Sequence, residues 1–460
     1  MKKRITLLFT LLFLGLNFGF AQQDEECITK LSIFHEYARA KNYDAAYEPW
    51  MVVRNKCPKF NIAIYADGEK ILKDKIKKAT GAAKLPFIND LLKLWEERAV
   101  NFASKTSKGE YAAQSCQLMY DNRKLLNKSK EELYECFDAA YKLDKDSFTN
   151  PKSLYTYFSL MVDLYDAGKK PATDLFNKYD DIVEKVEDEV KSFSEKLNKL
   201  ITKEEAGTAL TSKEGKYKKY YESYLKAYDQ ISGSIDQKLG DRANCENLIP
   251  LYQKDFEANK TNALWLQRAA GKMSQKECTD DPLFFKLVNA YHKLSPSANS
   301  AYYLGILKDK EHKTSEAIKF YEQAIGLETD NFKKSKLYYR IASKLKARKS
   351  YGKARSYYRK ALKLNPSNGR PHIAIAAMYA ASANSCGDSN FNKRAVYWLA
   401  ADEARKASRV DPTLKKAASQ SVANYSAKAP QKSEIFSSGK SGQTIKIGCW
   451  IGASVTVPSI

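Results

Sequence analysis

Between Asn299 and Pro412 the chain writes one pattern three times, and that pattern limits what the rest can be. Leu304 and Gly305 are followed by Ala317, Tyr321, Ala324 and Thr329; Ile341 and Ala342 are followed by Ala354, Tyr358, Ala361 and Pro366. In the third copy Ile375 and Ala376 come first, and Ala400, Ala404, Ala407 and Pro412 close the unit after an insertion. Small residues at fixed places in two successive apolar-periodic segments predict two antiparallel helices in close approach, with the proline ending the second. Such a hairpin buries its apolar face only against the next one, so the pattern predicts a stack.

This pattern resembles the tetratricopeptide repeat, whose period is about 34 residues. Ala317 to Ala354 spans 37 positions, which places about three inserted residues near Asn331, Phe332 and Lys333. The resemblance implies an all-α solenoid that offers a binding surface rather than a reaction. It also implies that the first helix of each repeat lines a concave groove. On that face it places Asn299, Tyr302 and Ile306, then Lys336, Tyr339, Arg340 and Ser343, then Arg370 and Ile373. The partner-binding residues expected from it are Asn299, Tyr302, Lys336, Tyr339, Arg340 and Arg370. Lys336 and Arg340 stand four apart on one helix face, where peptide-clamping relatives keep Lys and Arg. Tyr303 stands where that clamp needs Asn, so a C-terminal carboxylate clamp is not expected.

Residues 1–21 read as a secretory signal peptide: Met1-Lys2-Lys3-Arg4, an apolar run from Ile5 to Phe20, and Gly19-Phe20-Ala21 before Gln22. No later apolar run is long enough to span a bilayer. Residues 22–176 read as degenerate tetratricopeptide-like hairpins. Tyr43, Ala46, Trp50, Val53 and Pro58 repeat the spacing of Tyr351, Ala354, Tyr358, Ala361 and Pro366, and Ser129 to Glu132 starts a helix with a capping box. Residues 177–240 carry two heptad series, Val183, Val186, Val190, Phe193, Leu197, Leu200 and Tyr217, Tyr221, Tyr224, Tyr228, Ile231, Ile235, which predict a long antiparallel coiled-coil hairpin. Residues 241–429 resume the solenoid and end in a covering helix, with the clear repeats at 298–412. The alternation in Thr444–Ile447 and Val455–Val457 predicts a β-hairpin tail over 430–460.

Eight cysteines in a chain with an export signal point to disulfides. Cys27 and Cys57, Cys116 and Cys136, and Cys245 and Cys278 each fall on opposite arms of one predicted hairpin. Cys386, in the insertion of the third repeat, is left to clip Cys449 in the tail. Each bridge closes a loop of roughly 20 to 60 residues, worth about 3 to 4 kcal/mol.

Catalytic and metal-binding signatures are not found: no GxGxxG, P-loop, HExxH, GxSxG or CxxC occurs. His35, His292, His312 and His372 are scattered. No catalytic residue, metal or cofactor is therefore expected, and an enzyme is not. The acidic runs Asp180-Asp181 and Glu187-Asp188-Glu189 read as a solvated face of the heptad helix. Charge is more telling. No acidic residue lies between Asp330 and Asp388, while fourteen lysines and arginines do. Without the first 21 residues the chain keeps 74 basic against 54 acidic side chains. Such a block draws anionic groups.

The expected function is an exported scaffold that holds a peptide or protein loop, with acidic groups on its basic flank. The alternative is an envelope protein that binds lipopolysaccharide or cell-wall glycan through the basic repeats. Nucleic acid is not an expected partner. The composition and clipped tail are similar to exported tetratricopeptide proteins of Bacteroidota-type bacteria, which implies the periplasm or the outer surface.

Overall fold

The computed structural model describes residues 25–460, so the expected signal peptide lies outside the described residues. The described residues divide into two units, 25–179 and 180–460. Described residues are almost wholly helical, with one two-stranded sheet. No helix among them is long and apolar enough to cross a membrane.

The first unit is a run of helical hairpins: α1 (residues 25–39), α2 (Tyr43–Lys56), α3 (Ala63–Lys78), α4 (Leu85–Asn101), α5 (Lys108–Asp121), α6 (Lys130–Leu143) and α7 (Pro151–Asp166). The repeat positions Ala46, Trp50 and Val53 are fully buried. Ser129 and Glu132 form the capping box that starts α6. Val100 is 78% exposed, because it lies in the last turn of α4 beyond the packed stripe of Ile88, Leu91, Leu94 and Trp95. Cys27–Cys57 and Cys116–Cys136 are bonded.

The long helix α8 (Ala172–Glu205) leads into the second unit and turns back as α9 (Ser212–Leu239). Phe193 stacks on Tyr224 at 4.9 Å and Lys203 pairs with Glu214 across the turn, so the two arms are antiparallel. The heptad reading needs correction at its edges. Tyr217 is 46% exposed, while Ile182 and Ile201, outside the series, are buried. Ile182 and Ile201 stand four residues from Val186 and Leu197, so the buried stripe of α8 follows the 3.6-residue helix period rather than a strict heptad.

Then follow α10 (Cys245–Asn259), α11 (Ala263–Gln275) and α12 (Pro282–Leu294). The three repeat pairs are α13 (Ala298–Lys310) with α14 (Thr314–Leu327), α15 (Asn331–Ala347) with α16 (Tyr351–Leu364), and α17 (Arg370–Ala381) with α19 (Asn390–Val410). The one-turn α18 (Ala383–Cys386) fills the insertion. These are tetratricopeptide-like hairpins, and their small residues do what the pattern requires: Ala317, Ala354, Ala400, Ala404 and Ala407 are fully buried. A Cβ on Gly305 would stand 2.3 Å from the Tyr321 ring, so that crossing admits only glycine. The motif's terminal turns are tied down as well. Asp411 accepts the Gly369 backbone N–H at 2.9 Å, bracing the start of α17 against the end of α19.

The final helix α20 (Lys415–Lys428) packs on α19. The tail differs from a pure β-hairpin, because α21 (Lys432–Ser438) precedes β1 (Thr444–Ile447) and β2 (Ala453–Thr456). Gln431 and Glu434 cap α21, and Gly439 ends it with a left-handed backbone. Thr444 pairs with Thr456 and Ile447 with Ala453. Cys245–Cys278 and Cys386–Cys449 are bonded, and Trp450 sits against Tyr351 and Tyr379 with its indole N–H donating to Ser382.

Candidate functional site

In the second unit the inner faces of α15 and α17 meet the α8–α9 hairpin. Asp330 caps α15 by accepting the Lys333 N–H, which aims Lys336, Tyr339 and Arg340 along one face a turn later. Glu187 of α8 takes Lys336 at 2.6 Å, and Asp229 of α9 takes Arg370 at 3.0 Å. Lys191 pairs with Asp330. Asn198 binds the turn before α17 reciprocally, donating to the Asn365 side chain at 3.0 Å and accepting the Ser367 backbone N–H at 2.8 Å. The chain's own helical hairpin is therefore seated on the surface where the repeat pattern places a groove.

The first acidic run of α8, Asp180-Asp181, is not a solvated face, whereas Glu187 and Asp188 of the second are exposed. Asp181 and Glu184 form ion pairs with Arg268, and Asp180 with Lys272, both on α11. Burial pushes the Asp180 carboxyl up and the Lys272 ammonium down, so desolvation weighs heavily on this pair. Sequence spacing on α8 shows the charges but not their partners.

Between hairpin and repeats lies a cavity of about 430 Å³. Val186, Val190, Leu225 and Phe332 form its apolar part; Lys336, Tyr339, Arg340 and Arg370 stand on its repeat side, with Asn368, Asp411 and Thr413 from the turns. Four expected partner-binding residues thus meet at one place. Tyr302 and Asn299 do not line it. Tyr302 is 6% exposed, its ring tilted against those of Tyr321 and Tyr303 with the Arg340 guanidinium 5.5 Å from its centre, because α13 is buried on nearly every side. Ile306 is buried too. The cavity-lining residues that sequence reasoning missed, Ser194, Asn365 and Ser367, carry no periodic signal.

Of the fourteen cations between Asp330 and Asp388, four form ion pairs: Lys336, Arg348 with Asp309, Arg359 with Glu403, and Arg370. Lys353, Lys360 and Lys363 are exposed on one face of α16 and have no carboxylate partner among the described residues. Lys360 lies over the rings of Tyr338 and Tyr357.

Two histidines touch carboxylates. His35 meets Asp67 at 2.6 Å and His372 meets Glu403 at 2.7 Å. Burial of Glu403 would raise its pKa, but hydrogen bonds from His372, Arg359 and Lys406 hold it at about 2. A carboxylate so fixed is a poor proton acceptor and a good brace. His292 bonds Ser300, and His312 sits in a left-handed turn. The 430 Å³ cavity has no histidine in its lining. No group of three or more His, Cys, Asp or Glu among the described residues could hold a metal ion.

No protein-family model matches the chain, and comparison with curated proteins finds no match. Solved structures do resemble it. A human IFIT1 dimer with PPP-AAAA is 16% identical, with 80% of this chain and 73% of that one covered at a TM-score of 0.32. A tetratricopeptide repeat protein from Parabacteroides merdae is 10% identical, with 68% and 97% covered at 0.24. Yeast Tom70 is 14% identical, with 80% and 82% covered at 0.26. Scores this low say nothing about ligand or partner.

Proposed function

We propose that the chain is a non-enzymatic scaffold, exported to the bacterial envelope, whose C-terminal repeats hold an acidic segment of another protein. The observation that supports this reading is the pairing of Lys336 with Glu187 and Arg370 with Asp229. The repeat face already accepts helix-borne carboxylates, so a partner segment of like chemistry suits the same lip. The unpaired Lys353, Lys360 and Lys363 extend the positive field along α16. The leader-like residues 1–21 and the four bridges support an oxidising compartment.

The test is cross-linked recovery of partners from intact cells, followed by binding of the purified pair. Joint substitution of Lys336, Tyr339 and Arg340 by alanine, or of Lys353, Lys360 and Lys363 by glutamate, should lower affinity about tenfold or more. Unchanged affinity in both would remove the groove and its flank from consideration. The second reading, an anionic polymer on the same lysines, is favoured by their alignment. It predicts binding to lipopolysaccharide or glycan that collapses by about 0.3 M salt, whereas a partner held also by apolar contacts persists.

A further inference from the structure

The cavity shares Tyr339 and Arg340 with the partner surface proposed above, but it also has a chemistry of its own. Its 430 Å³ falls within the span of small-molecule sites. Val186, Val190 and Leu225 line it from the hairpin side, Val186 and Leu225 being otherwise buried. That gives an apolar body somewhere to lie.

The polar groups around it are unevenly matched. The acids are all engaged: Glu187 by Lys336, Asp229 by Arg370, and Asp411 by Gly369 and Thr413. The donors are not. Ser194 is 4% exposed and its hydroxyl has no hydrogen-bond partner among the described residues. The Tyr339 hydroxyl likewise has none, and Arg340 rests on the Tyr302 ring without a carboxylate. Tyr339 is half-buried and Arg340 exposed, so these groups meet water when the cavity is empty, and an oxyanion that replaces that water gains charge-assisted hydrogen bonds. What is missing is acceptors and one negative charge.

We propose that this cavity is a binding site for a small anionic amphiphile, an apolar body bearing one carboxylate, sulfonate or phosphate. The oxyanion takes Arg340 and the Tyr339 and Ser194 hydroxyls, and the apolar body lies on Val186, Val190 and Leu225. A neutral ligand of the same shape leaves Arg340 uncompensated.

The probe is 1-anilinonaphthalene-8-sulfonate, titrated into the intact, oxidised chain at low salt. One saturable site per chain is expected. Arg340→Ala should weaken it about tenfold or more, with Arg340→Lys in between. Ser194→Phe, which fills the cavity from the α8 side, should abolish it. Hexanoate should displace the probe where hexanol at the same concentration does not. Circular dichroism checks that each variant is folded. Should Ser194→Phe fail that check, the exposed Arg340 variants carry the test alone. Non-saturable binding, no binding, binding indifferent to Arg340→Ala, or equal displacement by hexanol would each overturn the proposal. The glutamate variants of Lys353, Lys360 and Lys363 lie outside the cavity, so they should lose the protein partner and keep the probe. That result separates failure of this site from failure of the scaffold reading.

Discussion

Glu403 shows how much one buried side chain can hold. It is 3% exposed, and it receives hydrogen bonds from His372, Arg359 and Lys406 on three sides. Its carboxyl is depressed to about 2 from an ordinary 4.5, so the folded state binds its proton less readily than the unfolded chain. The resulting stabilisation is on the order of 3 kcal/mol, complete above about pH 4.5 and lost as pH falls through 2. Glu403→Gln should therefore lower the melting temperature at pH 7, and the gap to the parent should close as pH drops from 4.5 toward 2. A gap that stays constant in that range would count against the brace. Gly305 makes a steric point at the same scale. Its alanine variant drives a methyl into the Tyr321 ring and should cost about 1–3 kcal/mol in denaturant titration. Gly326, with open space where its Cβ would be, should gain up to about 1 kcal/mol from the same change.

Among the elements, α8 departs most from its reading in the sequence. Its heptads were legible because Val186, Phe193 and Leu197 repeat at a fixed interval and the interval follows from helix geometry. The repeats were legible for the same reason, since Ala354, Tyr358 and Ala361 can only mark a close crossing. The acids of α8 were not, because their partners lie far along the chain: Arg268 is 84 residues from Glu184, and Lys336 is 149 from Glu187. Periodicity reports which face is apolar, never which distant element covers the polar one. The same limit hid Ser194 and left Tyr302, a groove residue by repeat position, to be found buried. Energetics separate the two kinds of pair. Lys336 and Glu187 are 36% and 52% exposed, so Lys336→Ala should change stability by no more than about 1 kcal/mol. Lys272 and Asp180 are 2% and 13% exposed, so Lys272→Met should cost about 3–5 kcal/mol by stranding the acid. Replacing both with apolar residues should recover most of that loss, and a double variant as unstable as the single would refute the argument.

On the scale of the whole molecule, covalent links set behaviour. The bridges Cys27–Cys57 and Cys116–Cys136 lie in the first unit, and Cys245–Cys278 and Cys386–Cys449 in the second; none joins the two. Loop closures of 20 to 63 residues are worth about 3 to 4.5 kcal/mol each, so replacing either cysteine of any pair by serine should destabilise its own unit by that order. Peptide mapping without reduction should recover these four pairs, and a crossed link between hairpins would refute the arrangement. Along the sequence the pairing runs first with second, third with fourth, fifth with sixth, seventh with eighth. An oxidant that meets the thiols in the order in which a threading chain delivers them makes the native set at every step. If the chain is exported as proposed above, its assembly calls for oxidising equivalents but not for reshuffling, because no early bond has to be undone.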